Sequence, residues 1–448
     1  MSKQVLIQEK QAYKLYGLPW QIFAIFSAVV LAATYLGVLP SGMAGCFAVM
    51  IVFGTVLQEI GDKTPFIRTY LGGGAIVIIF GIALIDYFGG IPVTVSENIA
   101  GFFKPTGAFL DFYIAALITG SILGMNRTLL VKASARYFPS IFGGIIVSFT
   151  FASVLGGLMG FGSIKALLLI ALPIMGGGMG AGATPLSKIF ESTATMSATE
   201  AISIMTPAVA IGNAISIVLG GLLVRIFTKK GWNGNGQLMK SSSDESDQYD
   251  IAPEMQAKRD KINLTSLGIG LFVSTSFFAF GYIVAKGWGY LVPSINIHAY
   301  AWMIITVAIC KIANIIPEFI EIACYQWFQF IMQNLTSVLL VGIGLCYLNL
   351  DTVIETFSVT YLLLCLVTCL GAVIGAGLVG KMVGFYPVEA AITAGLCMSN
   401  MGGTGDVAVL SAADRMELMP FAQISSRLGG AIILIIGSLM LSSLGSLL

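Results

Sequence analysis

Apolar stretches of about twenty residues recur along almost the whole chain, separated by short polar breaks. A helix needs about 20 predominantly apolar residues to cross the hydrocarbon core of a bilayer. The pattern predicts spanning helices near 18–38, 41–60, 70–89, 106–125, 140–160 and 203–227, then near 264–286, 298–316, 334–350, 356–379 and 421–445. The resulting fold class is an all-α polytopic membrane protein of about eleven transmembrane helices. One long polar stretch, 228–263, carries charge-rich runs at 240–250 and 258–261 and divides the chain into halves.

Two apolar runs, 166–175 and 390–398, are too short to span and read as re-entrant or buried segments. Each leads into a glycine cluster, Gly177-Gly178-Met179-Gly180 and Gly402-Gly403-Thr404-Gly405, at an offset of 402 − 177 = 225 residues. After each cluster come a polar stretch, a proline (Pro207, Pro420) and a helix with paired glycines (Gly220-Gly221, Gly429-Gly430). This is an internal repeat of five spans and one hairpin. It predicts an N-terminal segment and extra helix over 1–40, a first repeat over 41–227, a linker over 228–263 and a second repeat over 264–448.

An odd number of spans per copy inverts the second copy. With the N-terminus cytoplasmic, eighteen of the 23 Lys and Arg fall on cytoplasmic segments, among them Lys3, Lys10, Lys14, Lys311 and Arg415. The positive-inside bias therefore favours inverted repeats in a bacterial inner membrane, the first hairpin entering from outside and the second from the cytoplasm.

Composition narrows the function classes. The chain is 57% hydrophobic and 10% charged, whereas a soluble domain carries about 25% charged residues. A net charge of +1 predicts no nucleic-acid partner. A single histidine, His298, read as interfacial, is a poor toolkit for acid–base catalysis, and no HExxH or GxSxG motif occurs. The seven cysteines form no CxxC, and Cys365 and Cys369 read as packing residues. Glu59, Asp62 and Lys63 read as a solvated loop. The stretch 318–333, with Glu318 and Glu321, reads as an amphipathic piece along the interface. Gly371 and Gly375 read as a helix contact.

A glycine tip inside a membrane breaks helical hydrogen bonds and must line a polar cavity. Its free N–H groups favour an anion and its free carbonyls suit Na⁺. Arg427, about two turns into the last span, is the sharpest single residue, because a charge at that depth is costly and marks a path for substrate or ions. Its planar fork can hold a carboxylate by two parallel hydrogen bonds. Asp406 beside the second tip, with Asn400, Ser425 and Ser426, offers oxygen ligands suited to a hard cation. Asn213 holds the matching place in the first repeat and is a further cation candidate.

The runs 175–187, 392–398 and 402–406 resemble the two signature loops of the 2-hydroxycarboxylate transporter family, and 422–430 resembles its final-helix motif. The resemblance covers nearly the whole chain. It implies Na⁺-coupled transport of citrate, malate or relatives, H⁺-coupled or exchange transport in some members, by a homodimer whose hairpin-bearing domain moves as an elevator. It implies that Arg427 binds a substrate carboxylate, joined by positions Met179, Gly180, Met401 and Thr404 at the tips; Gly402 and Gly403 are further substrate candidates through the free N–H groups of the second tip. The citrate symporters carry asparagine and arginine where this chain has Met179 and Met401. Their loss predicts a smaller acid, with malate first and citrate as the alternative. An anion channel remains the reading from a different class.

Overall fold

The computed structural model describes residues 13–67, 73–103, 108–125, 127, 134–227, 232–239, 262–292 and 297–448. Lys3, Lys10 and the charged runs 240–250 and 258–261 lie outside the described residues.

The chain begins with a small antiparallel hairpin, β1 (Lys14–Leu15) and β2 (Leu18–Pro19). Helices follow: α1 (Trp20–Tyr35), α2 (Met43–Lys63), α3 (Gly74–Tyr87), α4 (Val93–Phe103), α5 (Phe109–Leu123) and α6 (Ser134–Leu158). Then come α7 (Ser163–Ile174), α8 (Thr184–Ser192) and α9 (Ala198–Phe227). The second half holds α10 (Leu264–Leu291), α11 (Ala299–Ile312), α12 (Glu318–Cys346), α13 (Leu350–Thr356) and α14 (Val359–Met382). It closes with α15 (Pro387–Ala390), α16 (Gly403–Ala412), α17 (Met419–Ile424) and α18 (Gly430–Leu444).

Among the described residues, seven helical stretches are long and apolar enough to cross a membrane. Helices α1, α3, α5 and α11 are apolar but shorter, below the roughly 20 residues of an untilted span. The chain is a multi-pass membrane protein.

The helices form two packed groups. In one, α12 runs against α2, α3, α4, α5 and α10, and α11 joins through α10 and α5. The other is built on α6 and α14, which pack tightly together. Small residues allow that approach: a side chain at Gly371 would strike the backbone of Ser148, and one at Gly375 would strike the carbonyl of Gly143. Ser148 and Ser140 donate across the contact to the carbonyls of Thr368 and Ala376, at 2.8 and 2.7 Å.

Two sequence expectations are corrected here. The stretch 318–333 is not an interfacial piece separate from a span beginning near 334. It is the first half of α12, one continuous helix of 29 residues. Glu321 is buried and holds the buried Lys311 at 2.7 Å. Part of the polarity that reads as a water-facing strip, at Glu321 and Gln326, is turned into the protein, while Glu318 stays exposed. Lys311 and Arg415, both counted among the cytoplasmic cations, are buried in ion pairs. Glu59, Asp62 and Lys63 form the last turn of α2 rather than a loop, with Lys63 bridged to Glu59 at 3.1 Å. The short helices α4 and α13 were not expected from the apolar pattern.

Candidate functional site

Both short apolar runs are helical arms interrupted by a wide turn. α7 contains a π-helical turn at Leu167–Ala171, and α15 continues into another at Ala391–Leu396. They begin 391 − 167 = 224 residues apart, close to the spacing of the glycine clusters. Such turns widen a helix locally and recur at functional sites. Two more sit at the chemistry itself: Met179–Ala183 opens into α8, and Ser425–Gly429 carries Arg427.

The two glycine clusters meet backbone to backbone. Gly177 and Gly178 have φ of +77° and +101°, and Gly402 has +73°, a region open to glycine at little cost. A side chain at Gly178 would come within 2.9 Å of the Met401 carbonyl carbon, and one at Gly177 within 2.5 Å of the Ser426 oxygen. Neither Gly178 nor Gly402, the residues preceding the two new helical stretches, supplies a side-chain cap. The first N–H groups of each helix lack intrahelical acceptors, so two partly positive N-termini open beside each other.

Behind them lies a buried oxygen cluster. Asp406 Oδ1 accepts from Asn400 Nδ2 at 3.0 Å, and Oδ2 from Ser426 Oγ at 2.8 Å. Asn400 Oδ1 accepts the Gly402 N–H at 2.8 Å. Asn213 Oδ1 accepts the Met401 N–H at 3.0 Å, so α9 of the first half holds the tip of the second. Ser425 Oγ shares a hydrogen with Tyr137 Oη at 2.8 Å, tying the Arg427 turn to α6. Asp406, Asn400, Ser425, Ser426 and Asn213, the cation candidates, are all buried. Among the described residues no group of three or more His, Cys, Asp or Glu could hold a metal. This cluster has one carboxylate and otherwise neutral oxygens, a donor set for a hard monovalent ion rather than a transition metal.

The anion candidates are placed differently. Gly180, Met401, Gly402 and Arg427 are half-buried and Gly403 is exposed. Met179 is buried at 3% exposure. The side chain of Thr404 lies outside what the structure describes. The Arg427 guanidinium stands 5.8 Å over the ring of Phe328 on α12, and Gly180 faces Leu339 and Tyr113 of the same helix group. The accessible residues therefore line the seam between the two helix groups, with the oxygen cluster on its inner side. Phe328, Tyr113 and Tyr137 are absent from the sequence expectations. Phe328 lay in the segment misread as interfacial, and apolar spans give no sign of which tyrosine turns inward.

His298 caps α11, accepting the Tyr300 N–H at 3.2 Å, and is part-buried. Burial and the Lys188 charge pull its imidazole down to about 4. The cysteine pair behaves as packing: Cys365 and Cys369 are buried, and Cys369 Sγ donates to the Gly212 carbonyl at 3.6 Å.

The model of the 2-hydroxycarboxylate transporter family matches residues 15–439. The chain belongs to this family. It is 37% identical to the malate transporter MleP of Lactococcus lactis over 429 residues, 96% of this chain and 97% of that one. It is 36% identical to the citrate/sodium symporter of Salmonella typhimurium over 434 residues, 96% and 95% of the two chains. It is 34% identical to the citrate transporter CitP of Lactococcus lactis over 429 residues, 96% and 94%. As a member of this family the chain is a transporter and not an enzyme.

Proposed function

We propose that this transporter carries a small 2-hydroxydicarboxylate, malate first, by symport with Na⁺. One observation carries the reading: a half-buried guanidinium and two uncapped helix N-termini share a seam, and a buried one-carboxylate oxygen cluster backs them. The carboxylate of the substrate pairs with Arg427 and the tip N–H groups at Gly180, Gly403 and Thr404, beside Gly402, whose own N–H is held by Asn400. Na⁺ sits among Asp406, Asn400, Ser425 and Ser426, with Asn213 holding the tip beside it. The ion offsets the charge of the anion, which is the physical basis of coupling. Met401, half-buried at the second tip, offers no charge to a third carboxylate, which favours malate over citrate.

In the same reading, residues 41–227 and 264–448 are inverted repeats contributing to eleven spans and two re-entrant hairpins. The group built on α6 and α14 carries both tips and moves as an elevator past the group built on α12. That second group supplies the contact of a homodimer in the bacterial inner membrane, with the N-terminus cytoplasmic. The relatives favour the same substrate class, since malate, citrate and sodium stand in their names.

Uptake into proteoliposomes tests it. Malate uptake is expected to rise with an inward Na⁺ gradient and to resist competition by citrate. Citrate outcompeting malate would overturn the substrate, and flux indifferent to Na⁺ would overturn the coupling ion and favour H⁺ coupling, exchange or a channel.

A further inference from the structure

The segment Trp232–Met239, read from sequence as part of a plain linker, is docked. Met239 pairs antiparallel with Phe385, and the Tyr386 N–H donates to the Leu238 carbonyl at 2.9 Å. The Val388 N–H reaches the Trp232 carbonyl at 3.3 Å. Trp232 stacks on Phe227 at the end of α9, with Lys381 Nζ 5.0 Å from its ring. Leu238 is buried, and a side chain at Gly234 would strike the Tyr386 ring.

The docked segment lands where the second helical arm starts and ends. Glu389 lies on α15 and Arg415 follows α16; both are buried, and Arg415 Nε meets Glu389 Oε1 at 3.4 Å. That pair joins the two arms at the end away from the glycine tip. Its fork is completed by the linker, because Arg415 Nη2 donates to Asn233 Oδ1 at 2.8 Å. A second donor hydrogen bond, from Arg415 Nη1, goes to the Asp414 carbonyl at 2.6 Å. A buried ion pair is costly unless its remaining groups are satisfied, and here part of that satisfaction comes from the linker.

We propose that Trp232–Met239 is a clasp that holds the two arms of the second hairpin together at their base, with Asn233 and Arg415 as positioning residues for the glycine tip. The clasp stays shut while substrate is carried. The affinity consequence rests on the tip forming part of the substrate site.

Two experiments on the full chain in proteoliposomes test it. In Met239→Cys/Phe385→Cys, the two cysteines face each other across the bridge, a spacing a disulfide can close. Oxidation is expected to leave malate uptake at the level of the reduced double variant; uptake that stops on oxidation and returns on reduction would overturn the clasp. In Asn233→Ala, the KM for malate is expected to rise about tenfold with the maximal rate little changed, and Asn233→Asp, which keeps an acceptor for Arg415, restores it. An unchanged KM in Asn233→Ala, or equal impairment of both variants, overturns the positioning role. Arg427→Ala run alongside separates the two readings: intact uptake there refutes the substrate site, while the disulfide result still decides the clasp.

Discussion

Ser426 Oγ donates to Asp406 Oδ2 at 2.8 Å, joining the helical turn that bears Arg427 to the tip of the preceding hairpin. The serine and the arginine are adjacent in sequence but face opposite ways, Ser426 into the buried oxygen cluster and Arg427 toward the seam with α12. A cation bound at Asp406 is thereby one residue away from an anion bound at Arg427.

Asp406→Asn removes the only carboxylate of the cluster while keeping its shape. The Na⁺ concentration for half-maximal uptake should rise by about tenfold or more, and Ser426→Ala, which deletes one hydrogen bond of about 1 kcal/mol, should raise it about fivefold. Initial uptake rates across a Na⁺ series measure both.

Arg427→Lys keeps the charge but loses the planar fork. Losing one charge-assisted hydrogen bond, about 1.5–3 kcal/mol, should raise the KM for malate by about 10- to 100-fold, while the Na⁺ dependence keeps its form. Competition with a monocarboxylate would show whether one carboxylate or two has lost its partner.

Met401 is half-buried at the seam whereas Met179 is enclosed. Met401→Arg should therefore shift preference from malate toward citrate by about tenfold on its own. Met179→Asn would bury an amide without a defined partner, and should lower folded protein rather than improve citrate transport. Paired competition assays and yield in membranes separate the two effects.

The depressed imidazole of His298 has a stability consequence outside the site. Its pKa is about 4 in the fold, against about 6.5 in an unfolded chain. The unfolded state binds the extra proton between those values, so stability falls as pH drops from about 6.5 toward 4. Melting temperatures in detergent should fall over that window, and less steeply in His298→Asn, which keeps a cap acceptor. The pH profile of uptake above about pH 6.5 should be the same in both proteins, because His298 is neutral there.

The tips were legible in the sequence because glycine clusters inside apolar chain have few physical explanations, and Arg427 because a charge inside an apolar segment stands out. The oxygen cluster was legible for a related reason: Asn400, Asp406, Ser425 and Ser426 are polar residues in segments that otherwise exclude them. What the sequence hid was pairing. Glu321 reads as water-facing until Lys311 is seen against it, and that one error displaced the start of α12 and with it Phe328. Asn233 reads as plain linker because its partner Arg415 stands 182 residues further along the chain. The π-helical turns leave no mark in apolar periodicity, since one extra residue per turn looks the same as an imperfect stripe.

Gly178 and Met401 come from different halves of the chain, yet no methyl group fits between them. Contact that close cannot slide without unlocking. Spectroscopic labels placed one on each loop should keep a constant separation through turnover, even as their distance to a label on α12 changes, and a substitution that wedges the loops apart should stall both together.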